Sequence, residues 1–332
     1  MADQATTDTV SVILPYFNRS DTLTEAARSV VEQTYSDLLL YLINDGSTDD
    51  SRGVVGLLDD PRIRHITLDR NQGVAHARNV GLNVAKTTLV SFMDSDDVWR
   101  PEKLEMQLKF LRNAQIADRS IAVAGCGWRV SGTTAQPKDF PPGPFTRTDV
   151  HDRVAGLRTP MLLVDRAVAA QGARFDESLP ALLDRDYVMS CLANGTKVVV
   201  LPAVLAEVRR GRKDHVATSQ RAARAYESLM CKYAHDLDEL PALRAWYSFR
   251  AAREYLVHRD VRHAMSHIPP ALADQRTSRL VGLLFGLVAG HKGFAAAQRL
   301  FRAAAPGRPV RADRAAGEHD RQSGQISSTL EH

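Results

Sequence analysis

Four short apolar runs, at residues 10–14, 38–43, 63–68 and 89–93, alternate with stretches whose apolar residues recur at helical spacing. That alternation constrains the fold more than any other feature. Apolar strands this short and continuous are buried on both faces, and short connections between strand and helix favour a mainly parallel sheet flanked by helices, an α/β class. Residues 20–34 put Leu23, Ala26, Ala27, Val30 and Val31 on one helical face, and residues 74–85 predict a second helix. Pro15 is expected to stop the first strand. Ser47 or Thr48 is placed to cap a helix whose first turn carries Asp49 and Asp50, favourable at the positive helix end.

Beyond the fourth run, Pro101 opens a predicted helix to about residue 117, with Leu104, Leu108 and Leu111 on one face. Residues 121–130 read as a strand, and 131–148, rich in Gly, Pro and Thr, as a loop. Residues 184–193 read as a helix ended by Asn194-Gly195, and 197–208 as extended chain. From about residue 220 the character changes to Ala- and Arg-rich helices, with Ala245, Phe249, Ala252, Leu256 and Ala264 marking a hairpin. The expected organisation is a sheet domain over 1–219, an α-helical C-terminal region over 220–305, and a polar tail over 306–332 expected to be disordered.

Composition narrows the partners. Forty-three Lys and Arg against 39 Asp and Glu leave a net charge of +4, spread along the chain, so no nucleic-acid partner is suggested. Cys126, Cys191 and Cys231 lie far apart without metal-site spacing and read as buried, reduced thiols. The polar N-terminus runs straight into a strand with no signal-peptide pattern, and a cytoplasmic location is expected. The most apolar stretch, residues 280–289, is about half of a bilayer span. It reads as a packed helix, with peripheral membrane contact at the inner face as the alternative.

The polar motifs fall where strands end. Pro15-Tyr16-Phe17-Asn18 follows the first run, Asn44-Asp45-Gly46-Ser47 the second and Asp94-Ser95-Asp96-Asp97 the fourth. In open α/β sheets ligands bind beyond the carboxyl ends of the strands, so one crevice can receive all three. Three acids side by side repel one another, and a divalent cation with its preference for oxygen ligands removes that cost. Asp97, close before the helix at Pro101, reads as its N-cap.

These motifs, together with Asn71-Gln72-Gly73, Ala77-Arg78-Asn79, Phe175-Asp176-Glu177-Ser178-Leu179 and Asp184-Arg185-Asp186-Tyr187, resemble the inverting family 2 glycosyltransferases of the GT-A fold. The resemblance runs to about residue 219. It implies transfer of a sugar from a nucleotide donor, most simply a UDP-sugar, to an acceptor hydroxyl. It further implies that Mn²⁺ or Mg²⁺ is bound by Asp96 and His215, and that Asp94 meets the ribose or shares the metal. Pro15 and Tyr16 would form the wall for the base, with Asn18 beside them, while Asp45 bonds the base and Arg78 reaches the base or diphosphate. Asp186 falls on the catalytic base, with Asp184 as the second choice. Arg209, Arg210, Arg212 and Lys213 would form a lid. The acceptor could be a glycan, a lipid-linked sugar, a peptide or a small natural product. Two other readings are a sugar nucleotidyltransferase, which would want a Gly-rich basic signature after the first strand, and a non-catalytic sugar- or partner-binding module.

Overall fold

The computed structural model of the protein describes residues 8–56, 58–134, 136–138, 140–149, 156–209 and 220–272. Eight strands form one sheet: β1 (Val10–Tyr16), β2 (Leu38–Asn44), β3 (Ile63–Thr67), β4 (Leu89–Phe92), β5 (Val98–Trp99), β6 (Ile121–Val130), β7 (Leu163–Asp165) and β8 (Lys197–Val208), in the spatial order 3-2-1-4-7-6-8-5. Strands β3, β2, β1 and β4 are parallel. The second half is mixed, because β7 runs antiparallel to both β4 and β6, and β5 antiparallel to β8. The expectation of a mainly parallel sheet therefore holds for the first hundred residues and gives way to a mixed sheet beyond them.

Ten helices are described: α1 (Leu23–Val31), α2 (Ser51–Gly56), α3 (Val74–Val84), α4 (Lys103–Ala117), α5 (Arg166–Ala170), α6 (Leu183–Cys191), α7 (Gln220–Lys232), α8 (Ala234–Asp238), α9 (Pro241–Val257) and α10 (Val261–Leu272). Helices α1 and α3 pack on β1 and β2, and α4 packs on β6 and β8. The approach of α3 to β1 is close enough to require Gly81, since a Cβ there would lie 2.4 Å from the Ile13 side chain. Leu23, Ala26, Ala27 and Val30 are buried as the helical spacing predicts, and so are Leu104 and Leu111.

Several boundaries differ from expectation. β1 continues through Pro15 to Tyr16, paired with β2. Proline is tolerated because Ile13 and Pro15 turn their polar groups toward β4. The Met93 N–H to the Ile13 carbonyl is the last bond on that side, so the missing Pro15 N–H has no ladder partner to lose. Helix α2 starts at Ser51, so Asp49 and Asp50 precede it rather than occupy its first turn. The Asp49 carboxylate instead accepts the backbone N–H groups of Ser20 and Ser51. Cys126 and Cys191 are buried, whereas Cys231 is exposed.

The main hydrophobic core does not stop at residue 220. It continues from the sheet through Tyr226, Leu229, Tyr233 and Tyr247 of the C-terminal helices. A smaller cluster of Ala223, Ala252, Tyr255, Leu256 and Ala264 closes the hairpin of α9 and α10 against α7. Among the described residues no helix is long and apolar enough to cross a membrane. The apolar stretch at 280–289 and the tail at 306–332 lie outside the described residues.

Candidate active site

The three motif loops meet at the carboxyl ends of β1, β2 and β4, and side chains stitch them together. Asn18, in left-handed backbone geometry (φ 51°), accepts the Thr48 N–H at 2.8 Å and the Asp49 N–H at 3.3 Å on its side-chain oxygen, while its own N–H donates to the Ser47 hydroxyl. Its amide is thus spent on joining the loops after β1 and β2. Asp45 is buried, and its carboxylate accepts the backbone N–H groups of Gln72 and Gly73 at 2.8 Å each. It holds the turn that launches α3. Gly46, at φ 70°, packs so closely under Arg70 that a Cβ would lie 2.5 Å from backbone carbon. Tyr16 is only 3% exposed, so its ring belongs to the core, and burial raises its phenol pKa. Phe17, the next residue, is the exposed aromatic at this edge; nothing in the sequence distinguished it from Tyr16.

Arg78 is the hub of the crevice. Its guanidinium is buried, lies 5.0 Å over the Phe175 ring, bonds Asp94 at 2.6 Å and sits 3.6 Å from Asp184. Asp94 and Asp184 are each about a third exposed, so both turn an oxygen to solvent from either side of one cation. Asp96 lies 3.9 Å from Arg19, a looser contact. Asp97 is not the expected cap, because α4 begins at Lys103 after Glu102. Its buried carboxylate accepts the Arg209 N–H instead, at 3.2 Å. Burial, then the charges of Asp94 and Asp96, push its pKa up to about 8. Asp94 and Asp96 offer hard oxygen donors of the kind that Mg²⁺ or Mn²⁺ takes. Among the described residues no group of three or more His, Cys, Asp or Glu side chains is arranged to hold a metal ion alone. His215, Arg210, Arg212 and Lys213 lie outside the described residues.

The two acids of α6 face opposite ways. Asp184 points to Arg78 and accepts a hydrogen bond from the Thr159 hydroxyl. Asp186, two residues on, is 0% exposed. Its carboxylate accepts the Tyr233 hydroxyl at 2.7 Å and the Lys232 ammonium at 2.8 Å, and Lys232 also bonds Asp176 at 2.8 Å. Burial, then the Asp186 charge, raise the Tyr233 phenol far above its ordinary value. The first choice of base is thereby enclosed by the C-terminal helices, and the second choice faces the crevice.

The remaining motif residues tie α3 to α6. The Asn79 amide donates to the Phe175 carbonyl at 2.9 Å and accepts the Phe175 N–H at 3.0 Å, while Glu177 bonds Asn79 and His76. Phe175 stacks on Tyr187 with ring centroids 4.1 Å apart. These residues carry position rather than chemistry.

Residues 11–157 match the family model described as Glycosyl transferase family 2. The succinoglycan biosynthesis protein ExoO of Rhizobium meliloti is 29% identical over 269 residues, covering 75% of this chain and 76% of its own length. Several other curated glycosyltransferases match about a third of the chain, over half or less of their own length. Among solved structures, S. aureus TarS in complex with UDP-GlcNAc superposes with a TM-score of 0.65 at 18% identity, covering 89% of this chain and 92% of its own. A mannosyltransferase from Pyrobaculum calidifontis in complex with GDP-Man and Mn²⁺ superposes with a TM-score of 0.59 at 17% identity, covering 87% and 86%. The fold shared with TarS is the α/β GT-A fold with a helical C-terminal part.

Proposed function

Residues 11–157 make this chain a member of glycosyl transferase family 2, and on that premise we propose that it moves one sugar from a nucleotide donor to an acceptor hydroxyl with inversion. The observation that carries this reading is the pair of partly exposed carboxylates, Asp94 and Asp184, that both approach the buried Arg78 guanidinium. One side of that crevice suits the leaving diphosphate and the other the attacking hydroxyl.

The nucleobase lies against the edge that follows β1, where Phe17 is exposed while Pro15 and Tyr16 are buried. Asp45 serves as clamp of the base-binding loop, with the lone pairs left after its two backbone bonds available to a base N–H. UDP is the first donor to test, since TarS was solved with UDP-GlcNAc. When bound at Asp96 and Asp94, Mn²⁺ or Mg²⁺ supplies neutralisation of the charge that builds on the leaving diphosphate. Two carboxylates are enough for such an ion, because Mg²⁺-type sites complete their shells with water and substrate phosphate.

Asp184 is the general base in this reading. Thr159 and Arg78 fix its orientation. It takes the acceptor proton while the hydroxyl oxygen attacks the anomeric carbon from the face opposite the diphosphate. The bond from that carbon to the diphosphate oxygen breaks, and the nucleotide diphosphate leaves. Asp186 lacks the accessibility a base needs, since its oxygens already accept Tyr233 and Lys232. We assign the reaction to the cytoplasm, where three free thiols persist. We also take residues 220–272 as a buttress of α6.

The test needs no acceptor. Slow hydrolysis of UDP- and GDP-sugars is assayed with Mn²⁺ in the wild type and in Asp184→Asn, with UDP binding followed by calorimetry. Hydrolysis in the wild type, its loss in the variant and retained UDP binding are expected. Unchanged turnover in Asp184→Asn would sink the base assignment.

A further inference from the structure

Arg158 stands apart from the other arginines of the crevice. Arg19, Arg78 and Arg209 are each paired with a carboxylate. The Arg158 side chain makes no hydrogen bond or ion pair among the described residues. Its guanidinium lies 4.6 Å over the indole of Trp128. That indole is itself fixed, with its N–H donating to the Gly156 carbonyl at 3.0 Å and its backbone bonded both ways to Lys138 at 2.9 and 2.7 Å.

The backbone beneath Arg158 is equally held. It enters a 3₁₀ turn, Thr159–Met161. The Pro160 carbonyl accepts the Trp99 indole N–H at 3.1 Å, the Met161 carbonyl accepts the Gln107 amide at 2.8 Å, and the Leu162 carbonyl accepts the Ser91 hydroxyl at 2.6 Å. Thr159, the next residue, touches the Asp184 carboxylate. The Arg158 charge is also felt by Asp97, at the rear of the acid cluster. A planar fork of unused donors, held over an aromatic face and rooted in hydrogen-bonded backbone, is pre-organised for a bidentate oxyanion.

Position decides which oxyanion. The donor side is marked by Asp45 and the loops after β1 and β2. Arg158 instead directly precedes Thr159, whose hydroxyl donates to Asp184, the residue that meets the acceptor hydroxyl in the reading above. Resting on the donor-site reading above, we infer that Arg158 on Trp128 is an acceptor subsite for an anionic substituent, a phosphate or carboxylate carried close to the hydroxyl that reacts. The same chemistry could come from the donor diphosphate, and the experiment separates the two.

Calorimetry is run on the wild type and Arg158→Gln, first with UDP and Mn²⁺. It is repeated with the UDP- and Mn²⁺-saturated protein and two probes, glucose 1-phosphate and methyl glucoside. The wild type is expected to bind the phosphate at least tenfold more tightly than the neutral glycoside. Arg158→Gln should bring the two within twofold while leaving UDP affinity within twofold of wild type. Equal binding of the two probes by the wild type, or no detectable binding of either, overturns the inference. So does a parallel loss of UDP affinity in Arg158→Gln, which would make Arg158 a donor-phosphate residue. Should the wild type fail to bind UDP at all, the donor reading falls first, and this inference falls with it.

Discussion

Asparagine at 184 and at 186 should have opposite effects, and the contrast separates the exposed acid from the enclosed one. At 186, asparagine keeps an oxygen for the Tyr233 hydroxyl but turns an amide N–H₂ toward the Lys232 ammonium, donor against donor. Losing a charge-assisted bond of this kind costs about 1.5–3 kcal/mol, and the buried setting favours the upper half. Lys232 keeps its bond to Asp176, which limits the loss. For a chain of 332 residues the melting temperature should fall by about 3–4 °C. Turnover at a temperature where the protein remains folded should stay within a few-fold of wild type. At 184 the lost contact is a 3.6 Å ion pair about a third exposed, so stability should change by less than about 1 kcal/mol. Turnover should fall roughly 100- to 10,000-fold, the range for removing a positioned general base. Thermal melts, donor-hydrolysis kinetics and UDP calorimetry on both variants give the three readouts. An Asp186→Asn protein that is folded, binds UDP and is inactive, beside an active Asp184→Asn, would refute the assignment drawn from exposure.

Three further outcomes follow from single contacts. Lys103 is fully buried with its ammonium 3.7 Å over Trp99, and burial pushes its pKa from 10.5 down to about 8. Folding therefore sheds its proton more readily than the unfolded chain does. The cost of burying the charge is complete below about pH 8 and disappears as pH rises to about 10.5, a gap worth roughly 3 kcal/mol before the indole contact returns up to about 2. Lys103→Met should raise stability by about 1–3 kcal/mol at pH 7 and flatten the rise between pH 8 and 10.5 in denaturant melts; a less stable variant would contradict this. Asp96→Ala, or a chelator with the wild type, should weaken UDP binding at least tenfold by calorimetry, and metal-independent affinity would count against the metal. Gly46→Ala forces a Cβ into the Arg70 backbone at positive φ, so a loss of about 2 kcal/mol or more and weaker UDP binding are expected, measured by melts and calorimetry.

The first half of the fold was legible because apolar runs and helical spacing repeat with short connections. β5 has two residues, β7 three and α5 five, too few for any period to register, so the antiparallel half of the sheet stayed hidden. The crevice was legible as a set of loops at strand ends, while the allocation of roles within it was not. Asp184 and Asp186 are two residues apart on a helix and therefore about 200° apart around its axis. Which one meets solvent depends on what covers the other, and that is Lys232 and Tyr233, nearly fifty residues away. The same holds for Asp97, read as a local cap but engaged by Arg209 from the end of β8. Asn18 and Asp45 spend most of their hydrogen bonds on loop backbone that pattern alone does not bring near.

The placement of charge explains why the C-terminal helices join the main core. α6 has acids on both of its faces, and each needs a cation. Arg78 answers Asp184 from α3, on the donor side. Lys232, at the end of α7, answers Asp186, and the Tyr233 hydroxyl seals the same carboxylate. On the side of α6 away from the donor loops, Arg185 lies 4.7 Å over Trp246 of α9, and Arg147 pairs with Asp236 of α8 at 2.7 Å. A charge as deeply buried as Asp186 is costly unless paired, so the sheet domain with α6 in this pose is incomplete without α7. The helical region thus holds the face of α6 opposite Asp184, the proposed base, and the presentation of Asp184 to the crevice depends on contacts it does not itself make.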